Sequence, residues 1–218
     1  MLDTSYDVHL EGERATTTVL PAPNRFYLFG KRSFDILVSL ALLPLLAVCA
    51  VGLLIVNPWR NQGPLLYRQF RMGYRCKPFQ VVKFRSMVCS GENARGPDDP
   101  LETSRITALG RFIRRTRIDE LPQILNVLRG DMSLIGPRPD YLSHARAYLR
   151  SVPGYRQRHA MRPGISGLAQ TRLGYAEGMD QTRAKVDADL EYIRTASFRT
   201  DTRIVFDTLR TVLGGFGR

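Results

Sequence analysis

The sequence predicts a mixed α/β, mainly helical fold: an N-terminal apolar membrane element, then a small domain with a β-hairpin and amphipathic helices. Three observations predict it. From Ile36 to Val56 the only polar residue is Ser39, so roughly 20 residues of hydrocarbon-compatible helix are available. Pro64–Gln69 and Pro78–Arg85 are short runs around a turn containing Gly73, the pattern of a β-hairpin. From Thr103 onward, apolar residues recur at helical spacing.

In chain order, residues 1–24 are mixed polar and end in Pro21-Ala22-Pro23-Asn24, a mobile tail. Residues 25–60 form the membrane element. Lys31-Arg32 lead in and Arg60 leads out, and basic flanks stay on the cytoplasmic side. Pro44 lacks an N–H, leaving the Leu40 carbonyl without its helical partner and opening the turn before it. A bend there makes two half-helices of roughly 8–12 residues, with Ser39 or a neighbouring helix serving the freed carbonyl. A kinked single span fits the length equally well, and these residues leave both open. A signal peptide fits poorly, because the run starts late, exceeds an h-region and lacks a small-x-small cleavage site.

Residues 61–218 form the second domain. Gly91–Pro100 is a polar loop. A helix from about Thr103 to Arg115 carries Leu109, Phe112 and Ile113 on one face, with Arg111, Arg114 and Arg115 nearby. Leu121, Ile124, Leu125 and Leu128 repeat at helical spacing, and Gly130 is placed as the stop. Pro122 is tolerated only in a first turn. That puts Asp119 near the N-cap and Glu120 in the first turn, where the positive helix end keeps a carboxylate ionised and can hold a phosphate or its cation. An Asp cap followed by Glu is also an everyday structural device, and Arg beside carboxylates is usually a surface pair. The dense Arg cluster and the rigid Gly136-Pro137-Arg138-Pro139 turn favour chemistry, since the turn can return Arg138 to the helix start as a diphosphate clamp. Val186, Leu190 and Ile193 mark a core helix. Thr202–Leu213 carries Ile204, Val205, Leu209, Val212 and Leu213 beside Arg203 and Arg210, and fits the interface or the core equally.

Charge and cysteine usage narrow the partners. The chain of 218 residues has 32 Lys and Arg against 20 Asp and Glu, a net charge of +12, which suits an anionic membrane surface, nucleic acid or phosphorylated substrate. Cys49, Cys76 and Cys89 have no metal-like spacing and give no disulfide framework. His9, His144 and His159 are scattered and carry no metal or catalytic assignment. A nucleic-acid reading leaves Asp119-Glu120 and the Gly136–Pro139 turn unexplained, and aromatics are not interleaved with the basic runs. No nucleic-acid partner is expected.

Several long motifs carry a family resemblance. They are Lys31-Arg32-Ser33-Phe34-Asp35, the central Pro44, Lys77-Pro78-Phe79 with Lys83-Phe84-Arg85-Ser86-Met87, and Ile106-Thr107-x-Leu109-Gly110-Arg111-Phe112. Further on come Asp119–Gln123, Asn126–Ser133, Gly136–Pro139 and Arg162-Pro163-Gly164-Ile165-Ser166-Gly167-x-Ala169-Gln170. In these the chain resembles the bacterial sugar transferases known as monotopic phosphoglycosyl transferases, from about residue 25 onward.

The resemblance implies transfer of a phospho-sugar from a UDP-sugar donor to undecaprenyl phosphate, with release of UMP. It implies Mg²⁺, a re-entrant hairpin broken at Pro44 in membrane lipid, and a catalytic domain on the cytoplasmic face of the bacterial inner membrane. Asp119 is implied as nucleophile and Glu120 as its partner, both beside the metal. Arg114, Arg138, Lys83 and Arg85 are implied for substrate phosphate, and Arg162, Pro163, Gly164 and Gln170 for nucleotide or sugar. A homodimer is allowed.

Departures from the family pattern are local. Leu43 stands where a serine usually precedes the proline, and Gly167-Leu168-Ala169-Gln170 replaces Gly-Trp-Ala-Gln, which leaves the sugar open. Longer relatives carry a four-helix N-terminal membrane region, so this sequence reads as a minimal member.

Overall fold

The Asn24 side chain accepts the Phe26 N–H at 2.9 Å and starts α1 (Arg25–Ala41). The computed structural model of the protein describes residues 24–88, 103–173 and 178–213. The expected tail up to residue 23 and the Gly91–Pro100 loop lie outside the described residues. On α1, Tyr27, Lys31, Asp35 and Ser39 recur every fourth residue and are all buried, a polar stripe down one face. Phe26, Phe29, Phe34, Leu37 and Leu40 are exposed on the remainder.

The buried stripe is held by residues far along the chain. Lys31 and Tyr27 reach Asp201 at 2.7 and 2.9 Å, and Asp35 accepts the Leu134 N–H at 3.0 Å. Arg32 donates to the carbonyls of Val127 and Leu128 at 2.6 and 3.0 Å.

Leu42 separates α1 from α2 (Leu43–Arg60), and Pro44 sits in the first turn of α2. The break therefore falls two residues before the proline, whose missing N–H is harmless at a helix start. The helices have 17 and 18 residues, longer than the 8–12 expected, because the first turns of α1 pack on protein. Ser39 does not serve a freed carbonyl as expected: its hydroxyl is fully buried and unpaired. Among the described helices, α2 alone is long and apolar enough to cross a bilayer. Its base also grips later residues, with Leu53 against Phe84 and Ile113, Asn57 on the Gly63 carbonyl at 2.7 Å and Asn61 on the Arg85 carbonyl at 2.8 Å.

The β-hairpin forms as the sequence indicates, with β1 (Leu66–Met72) antiparallel to β2 (Pro78–Phe84). Thr107 caps α3 (Ala108–Arg115), preceded by a separate 3-10 turn at Thr103–Arg105, so the expected single helix from Thr103 is broken. Ile113 is buried, Leu109 half-buried and Phe112 exposed.

After α3 come a 3-10 turn (Ile118–Glu120), α4 (Gln123–Arg129), β3 (Ser133–Ile135) and α5 (Leu142–Ser151). They are followed by a 3-10 turn (Gln157–Ala160), β4 (Gly164–Ser166), α6 (Leu168–Leu173), α7 (Met179–Arg194) and α8 (Phe198–Leu213). The short parallel pair β3–β4 is too brief to have been legible as strands.

One core cluster joins Tyr27 of α1 to Ile135, Tyr192, Ile193 and Ile204, and another joins Met72, Ala145, Tyr148, Tyr155 and Val186. Helix α7 is thus the expected core helix. Helix α8 splits the expected stripe: Ile204 is buried and Val205 half-buried, whereas Leu209 is exposed with Phe206 and the two arginines. The side chains of Val212 and Leu213 lie outside the described residues.

Candidate active site

Arg117 turns the chain out of α3 in a left-handed conformation, φ 58°, which a non-glycine residue adopts at a cost of order 1–3 kcal/mol. The tight 3-10 turn that follows buries both Asp119 and Glu120. The pair therefore precedes α4, with Pro122 as the N-cap of that helix. The sequence placed Asp119 near the N-cap and Glu120 in the first turn of that helix. The difference matters electrostatically, because the field of a helix end fades within one turn.

The two adjacent carboxylates have opposite characters. Glu120 accepts from Lys83 at 2.9 Å, from both terminal nitrogens of Arg138, and lies 3.9 Å from Arg117. Burial alone would raise its pKa, but the charges of Arg138 and Lys83 outweigh it and hold Glu120 well below the usual carboxylate range. Asp119 is 8% exposed, and its Oδ1 is a buried oxygen with no partner. Burial and then the Glu120 charge push its pKa up, against the pull of Lys83, Arg114 and Arg138. The sequence expected a helix end to favour the ionised form of Asp119; in the structure burial and Glu120 disfavour it, and the opposing pull comes from Lys83, Arg114 and Arg138.

Asn126 sets Lys83 against this turn. It is fully buried on the face of α4 that also carries Gln123, Ile124 and Val127, accepts the Val82 N–H at 3.1 Å and donates to the Gln80 carbonyl at 2.7 Å. Strand β2 is thereby tied to α4 on either side of Val81. Burial lowers the Lys83 pKa to about 8 against the pull of Glu120. Asn126 went unassigned in the sequence, because it lies off the Leu121, Ile124, Leu125 and Leu128 stripe that periodicity picks out, and the structure buries a different face of α4. Gln123, one turn after Asp119, likewise buries an unpaired Nε2.

Arg138 arrives from β3 through the proline-framed turn, as the sequence indicates, and also donates to the Ile165 carbonyl at 2.9 Å. Backbone crossing makes this possible. A Cβ on Gly164 would lie 2.1 Å from the Gly136 nitrogen, and one on Gly167 2.3 Å from the Gly136 oxygen. Only glycine permits that approach.

The remaining assignments divide. Arg114 lies in the last turn of α3, within electrostatic reach of Asp119, and contacts the Met87 sulfur at 3.8 Å. Arg85 is not brought to the acidic turn. Its guanidinium is buried and spent on the carbonyls of Pro64, Met87 and Asn61, tying α2 to the sheet, because a buried fork needs every donor satisfied. Arg162 is exposed and reaches the Gly130 carbonyl at 2.9 Å, at the far end of α4 from Asp119. The Pro163 carbonyl accepts from Ser133 at 2.9 Å, and Gly164 donates to the Pro137 carbonyl at 3.0 Å, so both support the turn. Gln170 carries a buried Oε1 with no partner.

The chain is 42% identical over 205 residues to a UDP-N-acetylgalactosamine-undecaprenyl-phosphate N-acetylgalactosaminephosphotransferase of Aeromonas hydrophila, covering 94% of the chain and 48% of that protein. It is 40% identical over 200 residues to a UDP-glucose:undecaprenyl-phosphate glucose-1-phosphate transferase of Caulobacter vibrioides, covering 88% and 73%. It is 42% identical over 189 residues to an exopolysaccharide production protein of Rhizobium leguminosarum, covering 82% and 92%. The chain thus spans about half the length of the first of these. The profile of the bacterial sugar transferases matches residues 26–215, from the base of α1 through the acidic turn and the Arg138 turn to the end of α8, and the chain belongs to that family.

Proposed function

We propose that the chain transfers a phospho-sugar from a UDP-sugar to undecaprenyl phosphate, releasing UMP, as the initiating step of an exopolysaccharide or another surface glycan. The observation that carries this reading is the contrast within the acidic turn: Asp119 has an unpartnered carboxylate oxygen beside a Glu120 held by two cations. The names of the relatives support the donor and acceptor classes. In the first displacement an Asp119 oxygen attacks the sugar-bearing phosphorus, the P–O bond to UMP breaks, and UMP leaves with that electron pair. In the second, an oxygen of the lipid phosphate attacks the same phosphorus and Asp119 leaves as carboxylate. Lys83, Arg114 and Arg138 supply the positive charge such a transfer needs.

Mg²⁺ suits the donor set in part. The free Oδ1 of Asp119 is a hard oxygen ligand, and Mg²⁺ is typically held by one or two carboxylates plus substrate phosphates. Glu120 would have to exchange a basic partner to join it. When bound, the ion neutralises phosphate charge.

The assay that tests the reaction measures UMP release from a panel of UDP-sugars by the purified protein in lipid nanodiscs. Release with one sugar, dependent on undecaprenyl phosphate, is expected. No release with any sugar overturns the proposal.

Lys83 sets an alkaline limit. Its charge is lost as pH rises through about 8, so activity should fall there. Lys83→Arg, which stays charged, should retain partial activity and move that limb upward by at least ~1 pH unit. An unmoved limb excludes Lys83 as its source.

We also propose that α1 and α2 form a re-entrant hairpin in the cytoplasmic leaflet of the inner membrane, with both ends facing the cytoplasm. The base of each helix is bound to the same domain, through Lys31, Arg32 and Asp35 on one side and Leu53, Asn57 and Asn61 on the other. A span would carry the N-terminal side of α1 away from those partners. Single cysteines at positions 5 and 183, in a cysteine-free background, should both resist a membrane-impermeant thiol reagent until cells are permeabilised. Labelling at position 5 alone would establish a span.

A further inference from the structure

Beneath the Arg138 turn lies a buried charge cluster outside the proposed phosphate site. Arg158, 1% exposed, pairs with Asp140 and with Asp189, the latter at 2.6 Å. Lys185 pairs with the other oxygen of Asp140, and the Tyr155 hydroxyl donates to Asp140 at 2.8 Å. Burial alone would raise the Asp140 pKa, yet Lys185 and Arg158 hold it well below the usual range. The cluster balances two cations against two carboxylates.

Such clusters are poor stabilisers, because desolvating each ion costs several kcal/mol and apolar replacements often fold as well. What this one adds is a contact to the backbone of Arg138 itself. Four consecutive carbonyls of the turn are each held by a different donor. Gly164 N–H reaches Pro137 at 3.0 Å, Arg158 reaches Arg138 at 2.7 Å, Arg71 reaches Pro139, and Met72 N–H reaches Asp140 at 3.1 Å. Arg158 is the donor of this set that grips the turn twice, at the Arg138 carbonyl and at the Asp140 carboxylate. Side-chain position at a phosphate matters to within about 0.5 Å, and such tolerance requires a fixed backbone.

We infer that Arg158 is a positioning residue for Arg138, setting its guanidinium for the substrate diphosphate through the turn's backbone, with Asp140, Asp189 and Lys185 holding Arg158 in place. The inference rests on the reading of Arg138 as a phosphate clamp. A lysine at 158 keeps the charge but cannot serve Asp140, Asp189 and the Arg138 carbonyl as a planar fork.

The test is a double-mutant cycle in the full-length protein, read in UMP turnover, in UDP affinity by calorimetry, and in thermal unfolding. Arg158→Lys should lower turnover about tenfold, but less than about twofold when Arg138 is already lysine, since coupled residues are not additive. A purely structural role lowers the melting temperature and leaves the two effects additive. Tyr155→Phe, which removes one bond to Asp140, serves in the same cycle should Arg158→Lys fail to fold. An Arg138→Lys no more costly than Arg183→Lys at the surface overturns the clamp reading and this inference with it. A costly Arg138→Lys with additive effects overturns this inference alone.

Discussion

Asp119→Asn should reduce UMP release by about a thousandfold or more, equivalent to ~4 kcal/mol of barrier. The substitution keeps shape and most packing while removing the anionic oxygen that attacks phosphorus. Because burial and Glu120 already push the Asp119 pKa up, the neutral amide relieves an electrostatic cost, and the folded protein should be at least as stable as wild type. Loss of turnover with unchanged or raised thermal stability separates a chemical role from a structural one. Mass spectrometry of wild type incubated with donor alone should find a phospho-sugar adduct on the peptide containing Asp119, absent from the variant. Near wild-type turnover by Asp119→Asn would falsify the assignment.

Glu120→Gln should be damaging in a different way. Glu120 is the buried counter-charge to Lys83 and Arg138, and removing one partner of a buried pair costs ~3–5 kcal/mol by leaving cations uncompensated. Both turnover and thermal stability should fall. Glu191→Gln is the control, since the Arg172–Glu191 pair is about half exposed on both sides and should change stability by less than ~1 kcal/mol. The sign with pH follows from the lowered Glu120 pKa. Its stabilisation is fully present above the ordinary Glu value and is lost as pH falls through the depressed folded value. The wild type should therefore lose its margin over Glu120→Gln in acid. A margin that does not change with pH excludes the ion pairs as its source.

Much of the site was legible in the sequence. Asp119, Glu120 and the proline-framed Arg138 stand in short motifs that the sequence singles out, and the structure brings Glu120 and Arg138 together across 18 residues. Arg85 stands away from the acidic turn for a physical reason. A motif places an arginine in the chain but does not say which face of β2 or its exit the guanidinium leaves by, and here it turns toward the base of α2. Asn126, Arg158 and Asp189 were overlooked because their work is done through partners far away in sequence. The α1 stripe was half visible: Lys31, Asp35 and Ser39 stand four apart, yet Lys31 meets Asp201, 170 residues away, and Asp35 meets Leu134, 99 residues away.

By itself, the sequence determined the apolar run and its break near Pro44, the β-hairpin, the stop of α4 and the identity of the acidic pair. Those features follow from spacing within a few turns of one chain segment, where side-chain periodicity, proline and glycine act locally. Only the tertiary structure decided that Glu120 is the locked carboxylate and Asp119 the one with a free oxygen. The charge state of a buried group depends on its desolvation and on cations brought close by other strands and turns, and neither is a property of neighbours in sequence.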